Sequence, residues 1–158
     1  MAKAKTIFDL PAVEKARIRE IHPLDGALLL MHFAFRGLVT QADRYLQKHG
    51  LSRVHHRILY VLARTDGISV GELFQTLGIT KQALHRPLKF LQDRGHVVAV
   101  RDPNHHRVKL LRLTPSGGRV ERIASDHERA AMETALGTTS VAHQKAWRSI
   151  MIALARQA

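Results

Sequence analysis

The chain has no cysteine among its 158 residues. That absence excludes disulfides, thiolate-ligated zinc, thiol nucleophiles and thiol-based redox sensing together, and it fits a reducing cytoplasm. Long apolar runs are missing too. The longest, Ala27 to Phe35, is interrupted by His32 and is too short to span a bilayer. Residues 1–20 mix Asp9, Glu14 and Glu20 with their lysines and arginines. They therefore read neither as a secretory signal nor as the polybasic cluster that an anionic membrane surface recruits. No phosphate-binding glycine loop, Gly-x-Ser-x-Gly or His-Glu-x-x-His occurs, so no enzyme class gains support. The expectation is a cytoplasmic protein without a cofactor, binding rather than catalysing.

Acidic residues are the last scarcity. Only 13 stand against 25 lysines and arginines, leaving a net charge of +12. Such an excess calls for a polyanionic partner. Its position sharpens the reading. From Lys81 to Arg112 eight cations face two carboxylates, Asp93 and Asp102, so half of the net charge lies in about a fifth of the chain.

The apolar periodicity organises the rest. Residues 1–22 read as an arm or short leading helix punctuated by Pro11 and Pro23. A helix over Ala27–Leu46 is apolar nearly all round in its first half, which predicts burial on most sides, with a second subunit as the cover. Ser52 opens another helix, with Val54, Ile58, Val61 and Leu62 on one stripe. Ser69 and Glu72 form a capping-box pattern for a third, and Gly78 stands where a left-handed C-cap is expected. Only Ile79 separates that glycine from Thr80, the N-cap of a fourth helix that turns Leu84, Leu88 and Leu91 inward. Two short helices joined by a tight glycine turn are a helix-turn-helix.

After Gly95 the period changes to two. Val97, Val98 and Val100 read as one strand, Asp102-Pro103-Asn104 as a turn, and Val108, Leu110, Leu111 and Leu113 as a second strand. A basic hairpin directly after a helix-turn-helix is a wing. Thr114-Pro115 then starts a long helix with Val120, Ile123, Ala124, His127 and Ala131 on a stripe. Following a break at Gly137–Ser140, a final helix places Trp147, Ile150, Met151 and Leu154 on one face. The fold class expected is mainly α with a small β-hairpin wing, in a single domain over 1–158. Residues 51–113 form the winged helix-turn-helix. Residues 20–50 and 115–158 form N- and C-terminal dimerisation helices.

This pattern resembles the multiple-antibiotic-resistance-regulator (MarR) family. The run is Leu51…Ile58-Leu59…Leu62, Ser69-Val-Gly-Glu-Leu73…Leu77-Gly78-Ile-Thr80, Leu91…Gly95, and Val98…Arg101…Arg107…Leu113-Thr114…Gly117. The resemblance implies a homodimer that represses transcription at pseudo-palindromic operators in double-stranded DNA, relieved by a small aromatic or anionic ligand. One departure is visible. The family's wing carries Asp-x-Arg where this chain has His105-His106-Arg107, in a wing about two residues shorter.

The recognition helix would offer Thr80, Lys81, Gln82, His85, Arg86 and Lys89 to DNA. Gln pairs bidentately with adenine, and Arg or Lys with guanine. Arg107 would reach the minor groove from the wing, Arg101, Lys109 and Arg112 would meet phosphates or remain solvated, and Asp102 would pair with Arg107 in place of the missing acid. Pro87 lies inside the recognition helix, where it either bends the helix or is simply tolerated. An effector pocket is readable in His32, Phe35 and Arg36 with His56 and Arg57; dimer core and surface is the competing reading of the same residues. The adjacent pairs His55-His56 and His105-His106 do not share a helical face and match no ligand spacing, so no metal site is expected. His32 and His127 fall on apolar stripes and read as core histidines. The alternative function is an architectural nucleic-acid binder without sequence preference.

Overall fold

The first long helix begins where Asp25 turns its carboxylate back on the preceding loop. Its Oδ2 accepts the amides of Ile21 and His22, both at 2.8 Å, and these two bonds hold the carboxyl below its ordinary range. The computed structural model describes residues 7, 10, 13, 15, 16, 18–102 and 109–157, in two units, 1–40 and 41–158. Helix α1 spans Asp25–Lys48 and crosses from the first unit to the second. Its first half is not covered as the sequence predicts: Leu28 is 68% exposed, and Leu30, Met31 and Phe35 are exposed as well. Among the described residues nothing covers these side chains.

The second unit is built around one core. Ala42 and Leu46 enter it from α1. Helix α2, Arg53–Leu62, adds Ile58, Leu59 and Leu62. Its start is a capping box in which His55 takes the place of the usual acid: the Ser52 amide donates to His55 Nδ1 at 3.0 Å. Helix α3, Val70–Leu77, has the Ser69–Glu72 capping box in both directions and ends on Gly78 at φ 64°, ψ 33°. The Ile79 amide reaches back to the Phe74 carbonyl at 3.1 Å, closing the turn. Helix α4, Lys81–Asp93, runs uninterrupted through Pro87 and buries Leu84, Leu88 and Leu91. The core thus closes over α2, α3 and α4 as the apolar spacing predicts.

Three antiparallel strands follow the order β1-β3-β2, with β1 at Ile68–Ser69, β2 at Val97–Arg101 and β3 at Lys109–Leu113. Val97 pairs with Leu113 and Arg101 with Lys109. Strand β1, unanticipated from sequence, pairs Ile68 with Leu111 and buries both. The tip of the hairpin, with Val108, lies outside the described residues.

Thr114 ties the sheet to the long helix α5, Pro115–Gly137. Its hydroxyl donates to the Gly95 carbonyl at 2.7 Å and accepts the Gly117 amide at 3.1 Å. Gly117 is needed for a separate reason: a Cβ there would sit 2.1 Å from the His96 carbonyl oxygen. Val120 and Ala124 of α5 are buried as expected. Two expectations for α5 and α1 fail: His127 and His32 are exposed rather than core. The buried histidine is His56, 3% exposed. Its ring faces Ser125 Oγ at 3.2 Å through Nε2 and Glu128 at 3.4 Å through Nδ1. Ser125 in turn donates to Glu121 at 2.6 Å, and Arg64 pairs with the same carboxylate at 2.9 Å. This polar chain stitches α2 to α5. The last helix, α6, spans Val141–Ala155, is capped by Ser140 and buries no residue fully.

Candidate nucleic-acid interface

The leucines of α4 decide what its other face presents. With Leu84, Leu88 and Leu91 inward, the positions at i, i+3, i+4 and i+7 from Gln82 must point away from the core. These are Gln82, His85, Arg86 and Lys89, and all four are exposed, as are Thr80 and Lys81 at the helix start. The fold therefore brings the six helix residues chosen from sequence onto one end and one face. Thr80 has a structural duty as well: its Oγ1 accepts the Ala83 amide at 3.1 Å, and its hydroxyl proton stays available as a donor. Lys89 Nζ lies 2.9 Å from both carboxylate oxygens of Asp93. Such a solvent-exposed i,i+4 pair is weak and exchanges readily for a phosphate. Pro87 has no N–H, so the Ala83 carbonyl receives no helical bond from it, yet α4 continues for six further residues.

The wing supplies a second cationic element. Arg101 and Lys109 are register partners at the loop end of the β2–β3 hairpin, and both are exposed. Like charges directly opposite one another destabilise a sheet, and an anion bound between them removes that penalty. Arg107, and with it the expected Asp102–Arg107 pair, lies outside the described residues.

The residues expected to form an effector pocket separate by unit. His32, Phe35 and Arg36 belong to the first, all exposed, with the Arg36 guanidinium 5.7 Å from the Phe33 ring centroid. His56 and Arg57 belong to the second, and both have structural partners there. His56 is held in the buried polar chain, and Arg57 Nη2 donates to the Leu77 carbonyl at 3.0 Å, satisfying the end of α3. Sequence periodicity could not show either role, because both partners come from other helices.

Two histidines near this region are shifted toward neutrality. Burial lowers the His55 pKa, its ring lying 4.9 Å from Phe90. Burial, then the charges of Arg94 and His49, lower that of His96. Among the described residues no group of three or more His, Asp or Glu side chains converges as a metal site, and no helix is long and apolar enough to cross a membrane.

Residues 49–108 match the MarR family model. The HTH-type transcriptional regulator PetP of Rhodobacter capsulatus is 38% identical over 105 residues, 66% of this chain and 63% of that protein. The chain spans between about half and just under two thirds of the length of the curated relatives it matches. Among solved structures, a MarR family transcription regulator designated SP03579 superposes with a TM-score of 0.72 at 22% identity, covering 92% of both chains. The S. aureus MepR–DNA complex superposes at 0.68 and 16% identity, covering 82% of this chain and 96% of that one.

Proposed function

We propose that the chain is a MarR-type protein, a cytoplasmic, homodimeric transcriptional regulator that acts as a repressor at pseudo-palindromic double-stranded DNA. The observation that carries this reading is the cationic, outward face of α4, Gln82, His85, Arg86 and Lys89, beside the like-charged Arg101–Lys109 pair of the wing. A helix face of this composition suits base edges in the major groove, and the wing pair suits phosphates. Net charge of +12 supports the same partner, and a protein of the same fold was solved bound to DNA. Residues 51–113 form the DNA-binding part in this reading. Residues 20–50 and 115–158 form the dimerisation part, because α6 and the first half of α1 each expose apolar side chains that a second copy would cover. A small aromatic or anionic ligand relieves repression, with His32, Phe35 and Arg36, all exposed, as its candidate contacts.

Fluorescence anisotropy tests this with duplex DNA from upstream of the protein's own gene beside a scrambled duplex, across a salt series. Each neutralised phosphate contributes about −0.9 to the log–log slope. A native-sequence advantage of about a thousandfold is expected for a specific regulator. Equal affinity for both duplexes selects the architectural reading, and no binding at low salt overturns DNA recognition altogether.

A further inference from the structure

Pro87 does more to α4 than interrupt one bond. Ala83, whose carbonyl it leaves without the i+4 donor, is the third residue of the helix and is exposed, while Pro87 itself is half-buried. Ala83 therefore lies in the first turn, the part of a recognition helix that meets base edges. Arg86 follows it at i+3 and Gln82 precedes it, so the carbonyl borders the outward face. The proline ring crowds that same carbonyl, and on the solvent side of a helix carbonyls tilt out toward water.

The rest of the outward face is short of acceptors. Lys81, Arg86 and Lys89 only donate. Thr80 Oγ1 is taken by the Ala83 amide at 3.1 Å, which leaves the Gln82 amide oxygen and one imidazole nitrogen of His85. The one carboxylate in α4, Asp93, stands at the far end and holds Lys89. The major groove offers donors as well as acceptors, because adenine N6 and cytosine N4 carry amino hydrogens. A carboxylate that accepted one would also repel the phosphates. A backbone carbonyl accepts it without a net charge.

We propose that Pro87 is a specificity-determining residue. By supplying no amide hydrogen, it makes the Ala83 carbonyl an acceptor for the amino group of an adenine or cytosine in the major groove. Pro87 acts through the backbone of another residue, as a positioning residue. This rests on the DNA-binding reading above and deepens it by one base position in each half-site.

The test is a cycle of anisotropy titrations on the full chain. Wild type and Pro87→Ala are each titrated with the upstream duplex and with a series in which single adenines become purine and single cytosines become 2-pyrimidinone, bases that lack the amino group. One replacement in each half-site should weaken wild type about three- to tenfold more than it weakens the variant, the range of one hydrogen bond. Whether that base is an adenine or a cytosine identifies the donor. The variant has an N–H at residue 87, so it should melt higher and keep the wild-type salt slope, since no phosphate contact is altered. A readout on wild type alone is the Ala83 carbonyl-carbon resonance, which should move with the upstream duplex and not with the duplex lacking that one amino group. Equal sensitivity of the two proteins at every position overturns the proposal. So does a difference spread over many positions, which would make Pro87 a bend in the helix, or a carbonyl resonance indifferent to the missing amino group. Failure of both proteins to bind any duplex removes the regulator reading and this inference with it, whereas specific binding without the coupling removes the role of Pro87 alone.

Discussion

Helices α4 and α6 have similar lengths and comparable leucine and isoleucine content, yet one buries a complete leucine stripe and the other buries no residue fully. The difference is not propensity. Helix α4 lies where α2, α3 and β2 meet it, so each leucine finds neighbours within the chain. In α6 Trp147, Ile150, Ile152 and Leu154 remain exposed. Apolar spacing fixes which face of a helix seeks cover, and only the tertiary arrangement fixes who provides it. For α6 we take the provider to be a second copy. The comparison breaks most sharply under truncation. Leu91→Ala removes a fully buried side chain and should cost about 2–5 kcal/mol, seen as a lower urea midpoint. Ile150→Ala, 61% exposed, should leave the midpoint of dilute protein nearly unchanged while shifting sedimentation toward the monomer. Equal midpoint losses from the two would mean that α6 packs within its own chain.

The same contrast can be drawn between neighbouring glycines. Gly117 and Gly118 are both in the first turn of α5, and helix propensity alone gives no reason to rank them. A Cβ on Gly117 meets the His96 carbonyl, whereas one on Gly118 meets nothing within 4 Å. Gly117→Ala should therefore destabilise by about 1–3 kcal/mol, and Gly118→Ala should stabilise by up to about 1 kcal/mol. Matching thermal melts would show that the strand-to-helix junction is looser than this geometry.

The two cationic elements of the interface divide in an analogous way. Arg86→Ala on α4 should cost about 1–3 kcal/mol in binding the native operator and relax preference at one base position. Arg101→Ala on the wing should weaken all duplexes alike and reduce the salt slope by about one. Anisotropy with operator variants distinguishes these outcomes, and a uniform loss from Arg86→Ala would demote it to a phosphate contact.

What could be read beforehand follows one rule: local signals were legible, and relations across the chain were not. The Ser69–Glu72 box and the Gly78 cap are spelled within a few residues, so the helix-turn-helix stood out. Strand β1 is only Ile68–Ser69 and exists because β3 pairs with it. Sequence placed His32 and His127 on apolar stripes but missed His56, whose burial is decided by Ser125, 69 residues away. Arg57 was expected to face a ligand, and its bond to the Leu77 carbonyl depends on where α3 ends. Of the interface, the helix face could be read because the leucine stripe dictates its opposite. The pairing of Arg101 with Lys109 needed the strand register.

The smallest expected effect concerns the start of α2. His55 accepts the Ser52 amide through Nδ1, which requires that nitrogen to be unprotonated, and burial holds the ring neutral. His96 is shifted in the same direction. Both folded-state pKa values therefore lie below the unfolded value of about 6.5. The unfolded chain binds more protons as pH falls through that value, so this part of the stability is complete above it and is lost on acidification. Melting temperature should be lower at pH 5 than at pH 7.5. Glutamine also serves at the third position of a capping box and does not titrate, so His55→Gln should keep the neutral melting temperature and flatten the acid limb. An acid limb as steep as wild type would assign the loss to His96 or to other groups and leave the α2 cap insensitive to pH.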